Sequence, residues 1–252
     1  MNDHKFDLVK GEMPMNQSRL TYSALHPQYT FESFIVSNFN REAFNAACMA
    51  ANMENSKTSG VPLLISGSKG VGKSHLLQAI GNRVKYMHPN SKIQFWYCGN
   101  WVDDICRAIR DKRESEFYSA CRDLDVLLID GEDFDCIIRI MPKCRKKFFF
   151  TLTNVILAGK RVVMADNSID HDNKYLIKYF SKHGKAVTLP PLDYNTKVFL
   201  LKEKFYNMPS SYVNKIHNKV SIEKIIKNIA EQTNKNIYEL TEMLYLILRD
   251  YY

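Results

Sequence analysis

Eight residues, Gly67-Ser68-Lys69-Gly70-Val71-Gly72-Lys73-Ser74, constrain the fold of this chain more than any other stretch. They satisfy G-x-x-x-x-G-K-[ST] at every position. A glycine-rich turn can aim several backbone N–H groups at one phosphate. Gly72 leaves room for close approach, Lys73 reaches the outer phosphates, and the Ser74 hydroxyl suits a Mg²⁺ ligand. The bare pattern also arises as an ordinary glycine turn, so its flanks decide. Val61-Pro62-Leu63-Leu64-Ile65-Ser66 reads as a buried strand. From Ser74 through His75 to Ile80 the apolar residues fall at helical spacing. Strand, glycine loop and helix is the order that points the positive end of a helix at a bound anion.

A second acidic position supports this reading. Leu124-Asp125-Val126-Leu127-Leu128-Ile129-Asp130 is an apolar run ending in a carboxylate. Alone it is a buried strand with a terminal Asp. Beside a phosphate loop, Asp130 is the expected second Mg²⁺ group, presented at the carboxyl end of a parallel strand.

A length of 252 residues allows a main domain with a smaller one attached. No apolar run approaches the ~20 residues of a membrane span, and the first residues lack a signal-peptide core. The 6 cysteines include no C-x-x-C pair and read as reduced thiols, which predicts a cytoplasmic protein. The net charge of +8 permits a nucleic-acid partner. Residues 139–161 hold seven basic residues and no acid, five of them in 139–147. Such a cluster, with Lys143, Arg145, Lys146 and Lys147 at its centre, is either a phosphate-contacting surface or a solvated helix face.

Residues 1–26 are polar and poorly patterned and predict a flexible arm. Helices are expected over 41–52, 74–80, 101–110 and 147–157, with a short one after 116. Strands are expected over 61–66, 92–97, 124–130, 161–165 and 186–189. This alternation predicts an α/β domain over 27–190, a parallel sheet flanked by helices. Pro190-Pro191 marks a hinge, and 196–206, 221–233 and 236–251 read as helices of an all-helical lid over 191–252.

From about Tyr29 to Leu248 the chain resembles the AAA+ region of the bacterial replication initiator DnaA and its shorter relative Hda. Tyr29-Thr30-Phe31-Glu32-Ser33-Phe34 is similar to the family's opening Y-T-F-D-N-F. Lys73-Ser74-His75-Leu76-Leu77-Gln78-Ala79-Ile80-Gly81-Asn82 follows G-K-T-H-L-L-H-A-I-G-N. Val126 to Phe134 is similar to V-L-L-I-D-D-I-Q-F. Leu192-Asp193-Tyr194-Asn195-Thr196-Lys197 resembles the start of the family's lid, and Asn236-Ile237-Tyr238-Glu239-Leu240 resembles N-I-R-E-L at sensor 2. The resemblance implies ATP or ADP with Mg²⁺ held between sheet and lid. It also implies head-to-tail assembly and a channel for single-stranded DNA. Asp130 and Glu132 become the acidic catalytic candidates and Asn167 the sensor 1 residue. Tyr238 becomes a nucleotide contact. Arg107, Arg110, Lys112 and Arg113 fall where the family has an extra helix facing the channel.

The departures carry as much weight. Gly131 stands where the family has a second acid, and Glu132 follows one position late. Tyr238 replaces the sensor 2 arginine. No arginine matches the family's finger around Lys178-Tyr179-Phe180-Ser181-Lys182. An arginine finger alone supplies about 10³–10⁵ in rate, and lysine lacks its planar fork. The expectation is binding with slow hydrolysis. The sequence, read to Tyr252, shows no counterpart of the initiator's duplex-reading domain. Gln17-Ser18-Arg19-Leu20-Thr21-Tyr22 faintly resembles a sliding-clamp peptide, against the simpler reading of a polar arm. The functions in play are an ATP-binding switch in replication initiation, a regulator or decoy of Hda type, and a helicase loader of DnaC type. Their partners would be an initiator, a clamp or a helicase. A metabolic P-loop kinase fits the lid and the initiator-like motifs poorly.

Overall fold

The computed structural model describes residues 20, 23–53, 61–131, 142–167, 174–208, 219–232 and 235–250. Five strands form one parallel sheet: β1 Leu63–Gly67, β2 Ile93–Tyr97, β3 Val126–Gly131, β4 Arg161–Asp166 and β5 Lys185–Leu189. Their order across the sheet is β2-β3-β4-β1-β5. The interior strands β1, β3 and β4 are buried at every position, whereas edge strand β5 alternates toward solvent. The flanking helices are α1 Arg41–Ala51, α2 Lys73–Met87, α3 Cys98–Arg110, α4 Glu114–Arg122, α5 Pro142–Leu157 and α6 Lys174–His183.

Strand periodicity divides the core into two layers. Leu64, Trp96, Leu127, Ile129, Val162 and Met164 face Trp101, Phe117, Phe148, Leu152 and Phe180 from α3 to α6. Their neighbours Leu63, Ile65, Phe95, Val126, Leu128 and Val163 face α1 and α2. A third core lies within three further helices: α7 Tyr194–Tyr206, α8 Lys219–Ala230 and α9 Ile237–Asp250. Leu201, Phe205, Ile226, Leu240 and Leu244 fill it.

Three departures from the sequence reading have local causes. Helix α5 begins at Pro142 and not at residue 147, because proline is tolerated in the first turn of a helix. Helix α6 has no counterpart among the expected elements. Its buried anchors Leu176 and Phe180 are only one turn apart, which gives a weak periodic signal. The segment before residue 27 is not free throughout. Leu20 is buried among the aromatics on the α3 side, and Ser23 Oγ accepts from Asn100 Nδ2 at 2.9 Å. Leu25 packs toward Gly81 of α2, on the opposite face of the sheet from Leu20. Among the described residues no helix is long and apolar enough to cross a membrane.

Candidate nucleotide site

The loop between β1 and α2 takes the shape its glycines permit. Gly70 and Gly72 have φ of 81° and 105°, in the left-handed region that side chains disfavour. A Cβ on Gly72 would lie 2.8 Å from Cε2 of Phe34, and one on Gly70 would lie 3.0 Å from Cβ of Asn236. Both glycines are therefore required by backbone conformation and by close neighbours. Helix α2 opens at Lys73, and its first N–H groups lie outside the helical ladder. Lys73 is buried, and its Nζ donates to Ser68 O across the loop at 2.6 Å. A glycine loop held at positive φ, a helix N-terminus and a buried lysine over the loop form a cradle that fits a chain of phosphates.

The strand ends bring the acids to the same edge of the sheet. Asp130, buried at the end of β3, pairs in register with Tyr97 of β2 and Ala165 of β4. Asp166 closes β4, opposite Gly131 on one side and Ser66 on the other. It is 2% exposed. Asn167 follows at once. Sequence reading singles out Asp130 and Asn167 and passes over Asp166. An apolar run ending in Asp was the available signal, and Val162 to Asp166 repeats the pattern of β3. The donor set fits Mg²⁺, which takes one or two carboxylates with waters and phosphate oxygens: Ser74 and Asp130 would hold it, with Asp166 alongside. Glu132 lies outside the described residues.

His75 faces away from the loop. Its Nε2 lies 2.8 Å from Thr30 O and 3.3 Å from Ser33 Oγ, and the ring meets Tyr29 and Phe34 edge-on or tilted. Burial pushes its pKa down, against the opposing pull of the Thr30 carbonyl. Gln78 and Asn82 extend the seam: His26 N–H donates to Gln78 Oε1, and Asn82 Nδ2 donates to the carbonyls of His26 and Tyr29. The side chain of His75 thus fastens residues 26–34 along α2, and only its backbone belongs to the phosphate cradle.

The last three helices close the other side. Asn236 Oδ1 accepts from Tyr238 N–H and Glu239 N–H at 2.9 and 3.1 Å, while Glu239 Oε2 accepts from Asn236 N–H at 2.7 Å. This capping box starts α9 against Gly70. A Cβ on Gly70 would lie 3.4 Å from Cδ2 of Tyr238, a ring that is otherwise 61% exposed. A cavity of about 320 Å³ separates the loop from the helices, lined by Ser68, Lys69, Gly70, Lys197, Lys235 and Glu239 among others. Around residues 178–182, where the family has its finger arginine, Phe180 is fully buried, while Lys178 and Lys182 are exposed.

The basic residues divide. Arg107 NH1 lies 3.5 Å from Asp104, whose other oxygen accepts from Trp96 Nε1, and Arg110 lies 3.6 Å from Asp111. Lys112 and Arg113 are exposed in the turn between α3 and α4. Lys147 is ion-paired with Glu114, next to Arg113. The pair joins α5 to the start of α4, so two clusters distant in sequence share one surface. Lys146 is exposed on that helix, and the side chain of Lys143 lies outside the described residues.

A parallel sheet of this order, with a phosphate loop after β1, acids near the ends of β3 and β4, and a helical lid behind the loop, defines the AAA+ fold. Residues 25–180 match the bacterial DnaA ATPase domain, and the chain belongs to that family. It is 30% identical over 229 residues to the chromosomal replication initiator protein DnaA of Caldanaerobacter subterraneus subsp. tengcongensis, a match covering 90% of this chain and 48% of that protein. The chain thus spans about half the length of the curated relatives it matches. Domain III of DnaA from Thermotoga maritima superposes with a TM-score of 0.71 at 25% identity, covering 90% of this chain and 91% of that one. A replication initiator DnaA bound to AMPPCP and single-stranded DNA gives 0.67 at 26% identity, covering 88% and 65%.

Proposed function

We propose that this protein is an ATP-dependent module acting in, or regulating, the initiation of DNA replication, with slow hydrolysis. The observation that carries this reading is the cradle at residues 67–74 facing Asp130 and Asp166 under a helical lid. A structural relative of the family is bound to AMPPCP and single-stranded DNA. Lys73, Ser74 and the backbone of Gly67 to His75 would hold Mg²⁺-ATP, with Tyr238 against the lid side. Bound Mg²⁺ would neutralise phosphate charge. Asn167 would orient water, and Glu132 would assist Asp130. The unit boundary falls near Pro190-Pro191, where the lid core begins. The partners are replication proteins, an initiator, helicase or clamp. Single-stranded DNA and head-to-tail copies of the chain are further partners.

One observation weighs against a motor-like loader. Tyr238 cannot neutralise γ-phosphate charge, and residues 178–182 hold lysines but no arginine, so neither place where the family has an arginine offers one. A chain that binds ATP and turns it over slowly suits a regulator or decoy as well as a switch, and better than a motor-like loader. The test is labelled-ATP affinity and single-turnover hydrolysis. Lys73→Ala is expected to abolish binding, while Glu132→Gln retains it. Unchanged affinity in Lys73→Ala would remove the nucleotide reading. Brisk turnover in the unmodified protein would remove the slow-hydrolysis part and turn attention to Lys178 and Lys182.

A further inference from the structure

Lys197 is a lysine in an expensive place. It sits in the first turns of α7 and is only 7% exposed. Its Nζ donates to one acceptor, Gln232 O, at 3.1 Å. No carboxylate lies within ion-pairing distance of it among the described residues. An ammonium carries three donors, and burying its charge without a counter-ion is costly. The carbonyl of Gln232, just beyond the end of α8, offsets part of that cost through the helix dipole. The remainder faces the cavity that Lys197 lines together with Ser68, Lys69 and Gly70 of the phosphate loop and with Lys235 of the lid. Glu239, the acid on that wall, already accepts from the Asn236 N–H as part of the capping box. Lys69, Lys197 and Lys235 outnumber Glu239 among the charged groups that line the cavity.

We propose that Lys197, backed by Lys235, is the lid's phosphate-contacting cation, so that the phosphate tail of a bound nucleotide is gripped between the loop lysine Lys73 and the lid. This rests on the nucleotide reading of the same site and adds to it. The residue at 238 packs on Gly70 as a ring, while the charge that answers the phosphates comes from α7. Binding would then tie α7, the end of α8 and the start of α9 to the loop through one ammonium group.

The test compares Lys197→Gln, Lys197→Met and Lys197→Arg with the unmodified full chain. Labelled-ATP affinity is measured across a salt series, and thermal unfolding is measured without nucleotide. Lys197→Gln can still donate to Gln232 O but carries no charge. It is expected to unfold near the wild-type temperature yet bind ATP about 10- to 100-fold more weakly, the scale of a hydrogen bond to a charged group. Its affinity should also depend less on salt. Lys197→Arg should retain most of the affinity, and Lys197→Met, which removes the charge together with its burial cost, should lose affinity without a large loss of stability. Wild-type ATP affinity in Lys197→Gln, or an affinity loss equally large in Lys197→Arg, overturns the proposal and leaves Lys197 a helix-end cap. Lys73→Ala, run in parallel, separates the two readings. If it too binds ATP normally, or if the unmodified chain binds none, the nucleotide site itself is wrong. If it alone loses ATP, only the role of Lys197 fails.

Discussion

His75 shows how one ring serves two segments at once. It starts in the phosphate motif by sequence, yet its side chain holds the Tyr29–Phe34 segment through the Thr30 carbonyl. Burial keeps its pKa below the ordinary 6.5. At pH above 6.5 the ring is neutral in folded and unfolded chains alike, and its contribution is fully present. As the pH falls through 6.5 the unfolded chain takes up the proton first, so stability declines until the folded ring also titrates. Urea unfolding of wild type and His75→Gln between pH 7.5 and 5 reads this out. The wild type should lose more stability on acidification than the variant. Parallel pH profiles would show that the ring titrates as a free histidine.

Among the elements, α7 carries the lid's attachment. Asp193 caps it, accepting from the Thr196 N–H at 2.9 Å and the Thr196 hydroxyl at 2.7 Å. Partial burial would raise the pKa of this carboxyl, but those bonds outweigh burial and hold it below the usual value. Asp193→Ala should cost about 1 kcal/mol, as removal of an N-cap does. Because Lys197 lies one turn on, the same change should weaken nucleotide binding more than removal of a cap elsewhere. Asp193→Asn, which keeps an acceptor, should recover most of both. Equal unfolding midpoints for Asp193→Ala and wild type would show that the Pro190-Pro191 turn and the lid core set this helix by themselves.

At the scale of the molecule, two of the basic clusters in this +8 chain meet on one surface. The Lys147–Glu114 ion pair sets α5 beside the α3–α4 turn, next to Lys112 and Arg113. The same pair removes Lys147 as a simple phosphate contact, and Arg107 is shared with buried Asp104. Single-stranded DNA affinity across a salt series, for wild type and a Lys143/Arg145/Lys146→Glu variant, measures what remains. Every phosphate that the variant no longer neutralises should flatten the log–log salt slope by about 0.7. Identical slopes and affinities would make the cluster a solvated face. Absence of binding at low salt in both would point to a protein partner.

What sequence could determine here was whatever is written locally. The phosphate loop, the strand-helix alternation, the N-x-x-E cap at Asn236 and the carboxylate ending β3 each need only a few neighbouring residues to specify their geometry. Helix α6 and the early docking of Leu20 were faint because their apolar anchors are few and widely spaced. Other features needed the tertiary structure. Asp166 becomes a candidate ligand only because β4 lies between β3 and β1. Phe180 is sealed only because α6 packs on the sheet. Lys147 meets Glu114 across 33 residues of chain, and Lys197 is a buried cation only because α7, α8 and the loop enclose it. Burial and charge pairing belong to contacts between distant segments, and no local pattern records them.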